Sequence, residues 1–141
     1  TLYVDTRHAN CSREICRLLK TCILEQTQNW SEIVFLCIGT DRVTGDCLGP
    51  YIGAQLSSHT FPMIHVYGTL SDPVHALNLT DTLQEIQNRH ITGIVNISGV
   101  LEHLTLQTTR LSTVISIADQ ITDGILYMIP LISKCGFIQI L

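Results

Sequence analysis

The stretch Ile33–Pro50, reading IVFLCIGTDRVTGDCLGP, constrains this chain more than any other. Its first six residues, Ile33 to Ile38, form an unbroken apolar run rich in β-branched side chains. That is the pattern of a strand buried on both faces, as in a parallel sheet. Gly39 ends the run, and the next residues change character: Thr40, Asp41, Arg42, Thr44 and Asp46 are polar, with Gly45 and Gly49 supplying backbone freedom. From Leu48 to Leu56 apolar residues return at helical period. Strand, polar loop and helix make the first half of a βαβ unit. In open α/β sheets, sites form in the crevice outside the carboxyl ends of the strands, and Asp41 and Asp46 stand at such an end.

The rest of the chain repeats the alternation. Ala9–Gln28 reads as an amphipathic helix with Ile15, Leu18, Leu19, Cys22 and Ile23 on one stripe. Leu48–Ser58 reads as a helix entered through Gly49-Pro50. Met63–Tyr67 is a short strand, followed by a second polar loop, GTLSDP. Val74–Asn88 reads as a helix with Leu77, Leu79, Leu83 and Ile86 apolar. Ile91–Ile97 is a strand, and Val100–Gly124 a long helix ending at its glycine. Ile125–Leu141 reads as a turn and a closing strand, Gly136–Leu141. Helices alternating with buried strands predict an α/β domain with a mostly parallel sheet.

At 141 residues the chain is one domain, residues 1–141. Only 14% of residues are charged against 45% hydrophobic, so much of the chain is buried or covered in an oligomer, and the apolar helix Val100–Gly124 suits a homodimer face. The net charge of −4 with no basic stripe argues against nucleic acid as a partner. No apolar stretch is long enough to span a bilayer, so no membrane partner is expected. None of the six cysteines forms a C-x-x-C pair, which gives no support for a zinc knuckle or thioredoxin-like motif. With no secretory pattern in the sequence, the thiols read as reduced and the location as cytoplasmic.

Three blocks, GTDRVTGDCLGP, VYGTLSDPVHALNL and ITGIVNISGVLEHLTLQTTRL, occur in order over roughly residues 33–124. Together they resemble the YyaC-like sporulation proteins, a family similar in turn to the spore germination protease and the hydrogenase-maturation endopeptidases. The resemblance implies a three-layer α/β/α sandwich and a peptidase-like protein of the mother cell or forespore, acting on a protein or peptide substrate. A divalent metal is the cofactor it implies. By resemblance Asp46, in the D-x-L-G turn, matches the acidic residue with which the maturation peptidases hold metal. One departure stands out. In YyaC-like proteins a further core strand bearing an acidic residue, then a glycine-rich loop, precedes the ITGIVN block. Here Asn88 leads through Arg89-His90 straight into Ile91.

The candidate residues follow. Asp46 reads either as a catalytic carboxylate or as a cap on the helix beginning near Leu48. Asp41 could share a proton with it, the arrangement acid/base chemistry needs, or simply form an Asx turn beside a solvated Arg42. Gly45, Asn96 and Ser98 are candidate substrate contacts at loop and strand ends. Asp46, Asp72, His75 and Glu102 carry metal-compatible groups, with His103 beside the last. Asp72 or Ser71 equally suits an N-cap before Pro73. Cys47, near a helix start, could be a nucleophile, although no histidine is near it in sequence. Two other readings remain open: a non-catalytic homo-oligomeric module, and an anion site at the loop's N–H groups.

Overall fold

The computed structural model describes residues 4–5, 7–24, 32–91, 93–98 and 111–134. In chain order these form α1 (Cys11–Leu24), β1 (Ile33–Ile38), a 3₁₀ turn (Thr44–Asp46), α2 (Leu48–Ser57), β2 (Ile64–Tyr67), α3 (Leu79–Asn88), β3 (Gly93–Ser98) and α4 (Leu111–Lys134). The expected α/β fold with a parallel sheet is present. Three strands pair in the order β2-β1-β3, all parallel, with Ile33 opposite both Ile64 and Gly93. No helix among the described residues is long and apolar enough to cross a membrane.

The apolar run of β1 works as its composition dictates, because a central strand alternates its side chains between two cores. Ile33, Phe35 and Cys37 enter one cluster with Ile52 and Leu56 of α2, Cys16 of α1, and Ala118 and Ile125 of α4. Val34 and Leu36 enter another with Val74, Ile86 of α3 and Ile91. Each fully buried side chain of this size is worth about 1.5–3 kcal/mol. Burial pushes the Cys37 thiol up to about 12, so it stays a neutral, apolar group.

The two crossovers fix where the chain opens. From β1 it passes along α2, on the first face, to β2. From β2 it returns past β1 along α3, on the other face, to β3. Opposite shifts with helices on opposite faces are what a single crossover hand requires. Neighbours β1 and β2 therefore send their chains to opposite faces, and the crevice at the topological switch point lies between their carboxyl ends.

Two expectations are corrected. The helix predicted from Val74 starts at Leu79, with Asn78 at its N-cap position. Val74 instead pairs with Ile38 as an isolated parallel bridge. Asn78 fixes the intervening turn, accepting from His75 N (2.8 Å) and donating to Pro73 O (3.0 Å). Leu77, an apolar residue of the expected helix, lies in this turn and is 91% exposed. The long helix expected to end at Gly124 continues, because that glycine and Pro130 are not stops here. α4 runs through both to Lys134. Gly124 is there for contact: a Cβ would strike the Ile15 side chain of α1. Residues 99–110 and the expected strand Gly136–Leu141 lie outside the described residues.

Candidate functional site

The loop after β1 is built on Gly39, whose φ of 152° suits only glycine, and where a Cβ would collide with the Asp46 carbonyl. That carbonyl accepts from Thr40 N at 2.9 Å, and Asp46 N donates to Val43 O at 2.9 Å. The loop thus closes on itself and brings residue 46 back beside the end of β1. Gly39 N donates to Val74 O at 2.8 Å, which ties this loop to the one after β2.

Between the two loops lies a cleft of about 820 Å³. Thr40, Asp41, Arg42 and Asp46 line it from the first loop; Leu70, Pro73, His75 and Leu77 line it from the second. Asp41 is exposed and Asp46 half-buried. Neither carboxylate accepts a hydrogen bond or pairs with a cation among the described residues. Asp46 is not the helix cap: the N-cap of α2 is Cys47, and it makes no side-chain capping bond. Nor does Asp41 form an Asx turn. Arg42 N donates instead to Thr40 Oγ1 at 3.3 Å.

His75 adds a third ionisable group. Its Nδ1 accepts from Leu77 N at 3.3 Å, so the neutral ring carries its proton on Nε2. It can donate a hydrogen bond in this arrangement. To ligate a metal through Nε2 it would have to give up the Leu77 bond. Pro73 divides the Asp72–His75 pair, and Asp72 lines a different cleft, along β2. Among the described residues no group of three His, Cys, Asp or Glu side chains could hold a metal ion.

Of the remaining candidates, Gly45 sits in the 3₁₀ turn beside Asp46. Asn96 and Ser98 are exposed on β3 and do not line this cleft. Glu102 and His103 lie outside the described residues. Cys47 is buried at 1% exposure, and its thiol donates to Thr44 O at 3.0 Å. Burial raises its pKa, and the charges of Asp46 and Asp41 raise it further. A thiol held neutral in this way is a poor nucleophile. The same two negative charges act on Cys47 at the start of α2 and disfavour an anion there.

Sequence reasoning passed over Arg42, treated as a solvated neighbour, although it brings a cation into the carboxylate cleft. It also passed over a chain of side chains along β2. His65 Nε2 meets Glu32 Oε2 at 3.1 Å. Arg89 Nη2 donates to His65 Nδ1 at 3.3 Å and its Nη1 to Tyr67 Oη at 3.1 Å. Tyr67 in turn donates to Glu85 Oε1 at 2.9 Å. Burial first, then the bond to Glu85, raises the Tyr67 pKa. The alternation of β2 was the available signal, since it places His65 and Tyr67 on one face.

A family described as "Protein of unknown function (DUF1256)" matches residues 3–92 and again 88–124. The chain is 32% identical to "Uncharacterized protein YyaC" of Bacillus subtilis (strain 168), over 87% of this chain and 81% of that protein. No solved structure matches. The alignment spans 168 positions, more than the whole 141-residue chain, so the relative carries residues that have no counterpart here. The family match divides where α3 gives way to β3, its two parts overlapping at residues 88–92.

Proposed function

Because the chain belongs to the DUF1256 family of unknown function, we propose that it is a carboxylate-based peptide hydrolase of the sporulation or germination programme, working in the cytoplasm of the mother cell or forespore. One observation carries the reading: Asp41 and Asp46, neither of them used as a cap or a turn, line a single cleft at the switch point together with His75 and Arg42. In the proposed mechanism one carboxylate of the pair takes a proton from the attacking water. The other, protonated, returns a proton to the leaving amine, which His75 holds by a hydrogen bond from its Nε2–H. Arg42 supplies positive charge for the developing oxyanion. The cleft that the described residues build does not fit a metal, and no step is routed through one.

Exposed apolar side chains support a protein or peptide substrate. Leu77 is 91% exposed and Leu70 36%, both lining the cleft, and Val43 of the first loop is 42% exposed. The test is to incubate wild type and Asp46→Asn with spore protein extract, with and without added Mg²⁺ or Zn²⁺, and to label new N-termini. Cleavage by wild type that vanishes in a folded Asp46→Asn variant is the expected result. No wild-type-specific cleavage under any of these conditions overturns the reading.

The same apolar rim favours a second reading, a non-catalytic homo-oligomeric module. It expects a homodimer by light scattering that Leu77→Asp weakens and Asp46→Asn leaves intact.

A further inference from the structure

The second cleft, of about 640 Å³, runs between β2 and α3, with His65 and Tyr67 on the strand side and Glu85 and Arg89 on the helix side. His65 is bonded at both ring nitrogens, by groups of opposite charge. Nε2 meets Glu32 Oε2 at 3.1 Å, and Nδ1 meets Arg89 Nη2 at 3.3 Å. A guanidinium only donates, so Nδ1 is the bare nitrogen of the neutral ring. Nε2 then carries the proton and donates it to Glu32. The two neighbours fix the tautomer between them.

One proton changes this arrangement, and imidazole is the side chain that ordinarily gains one between about pH 8 and pH 5. The imidazolium keeps Glu32, now as an ion pair. At Nδ1 it turns an N–H toward a group that has only N–H to offer, and a positive charge toward a positive charge. The bond to Arg89 is lost. Arg89 is the partner that moves, since it is exposed at the C-cap of α3 while His65 is half-buried. A second place is ready for it. Arg89 Nη1 donates to Tyr67 Oη at 3.1 Å, and that hydroxyl donates to Glu85 Oε1 at 2.9 Å. Glu85 stands four residues before Arg89, the order in which a carboxylate and a cation pair best along a helix. Asp72, from the loop after β2, is the other charged residue among the described ones that line this cleft.

We infer that His65 works a proton-driven latch: neutral, it fastens the end of α3 to β2 through Arg89; protonated, it hands Arg89 to Glu85. The latch sits where the chain leaves α3 and turns at His90 toward β3. The proton thus decides whether that turn is tied to a neighbouring strand or only to its own helix. None of the latch residues lines the carboxylate cleft, so the switch stands or falls separately from the proposed activity.

The test is an NMR titration of the whole chain from about pH 8 to about pH 5, the range of an ordinary imidazole, following the ring nitrogens of His65 and the side chain of Arg89. At the alkaline end the protonated ring nitrogen should be Nε2. As the ring gains its second proton, nuclear Overhauser contacts between Arg89 and His65 should be lost, and contacts between Arg89 and Glu85 should appear with the same midpoint. In a His65→Gln variant, shown to be folded by its amide spectrum, the Arg89 signals should lose their pH dependence over this range. A neutral ring protonated at Nδ1 would overturn the inference. So would Arg89–His65 contacts that persist through the ring's titration, or an Arg89 response that survives in His65→Gln.

Discussion

The two clefts on either side of the loop after β2 share a wall and differ in how they hold charge. In the first, Asp41 and Asp46 are placed by backbone bonds of their loop, and their carboxylates bond nothing among the described residues. In the second, Glu32, His65, Arg89, Tyr67 and Glu85 hold one another in an unbroken chain of side-chain bonds. Placement by backbone leaves a side chain's bonding capacity for a ligand; placement by neighbours spends most of it. Arg89 belongs to the second case, fixed by His65 and by the Tyr67 hydroxyl that Glu85 also bonds.

The sharpest way to break that contrast is Asp46→Asn. If the first cleft is a site, this change should lower hydrolysis by about 10²–10⁴-fold while urea unfolding shifts by less than about 0.5 kcal/mol. A large stability loss would instead mark Asp46 as structural.

Gly39→Ala attacks the backbone that places both carboxylates. Its φ of 152° and the blocked approach to the Asp46 carbonyl predict a loss of about 1–3 kcal/mol in urea unfolding. The NMR signals of His65 in the second cleft should stay in place.

The buried thiols give a smaller, pH-dependent effect. Cys37 titrates at about 12 in the folded chain against an ordinary value of 9.0. Above pH 9 the unfolded chain has lost a proton that the folded chain keeps, so stability is full below pH 9 and falls as pH rises toward 12. The slope is at most about 1.4 kcal/mol per pH unit per thiol. Cys37→Ala should flatten part of that fall, measured as Tm between pH 8 and 11.

Smallest is Tyr67→Phe, which removes the link between Arg89 and Glu85. Both are exposed and can turn to water, so about 0.5–1 kcal/mol is expected. The effect should be read together with the His65 ring signals, which should shift here and not in Asp46→Asn.

Much of the fold was legible because burial writes itself into composition. The run Ile33–Ile38 is apolar throughout since both its faces are covered, and its bounds could be read directly. The start of α2 at Leu48 was equally plain from Gly49-Pro50. The α3 start was missed because Pro73 mimics a first helical turn, while the turn that delays the helix depends on Asn78 reaching back to residues 73 and 75. The continuation of α4 past residue 124 was missed because Gly124 is a packing glycine, and only the neighbouring Ile15 reveals that. In the site, Asp41 and Asp46 were expected together from one loop, while the arrival of His75 in their cleft required the strand order. Along β2 the alternation put His65 and Tyr67 on one face, but their partners Glu32, Glu85 and Arg89 are distant in sequence and came together only in the fold.

The junction after α3 has a use of its own. The chain leaves the helix at Arg89, turns at His90 with a left-handed φ of 58°, and is buried again at Ile91 before β3 begins at Gly93. Both residues of the turn are exposed, and the family match divides here. A hinge that sequence comparison already cuts in two is a natural grafting point: a reporter domain or a relative's longer excursion, spliced between His90 and Ile91, can loop out without unpicking either neighbouring element.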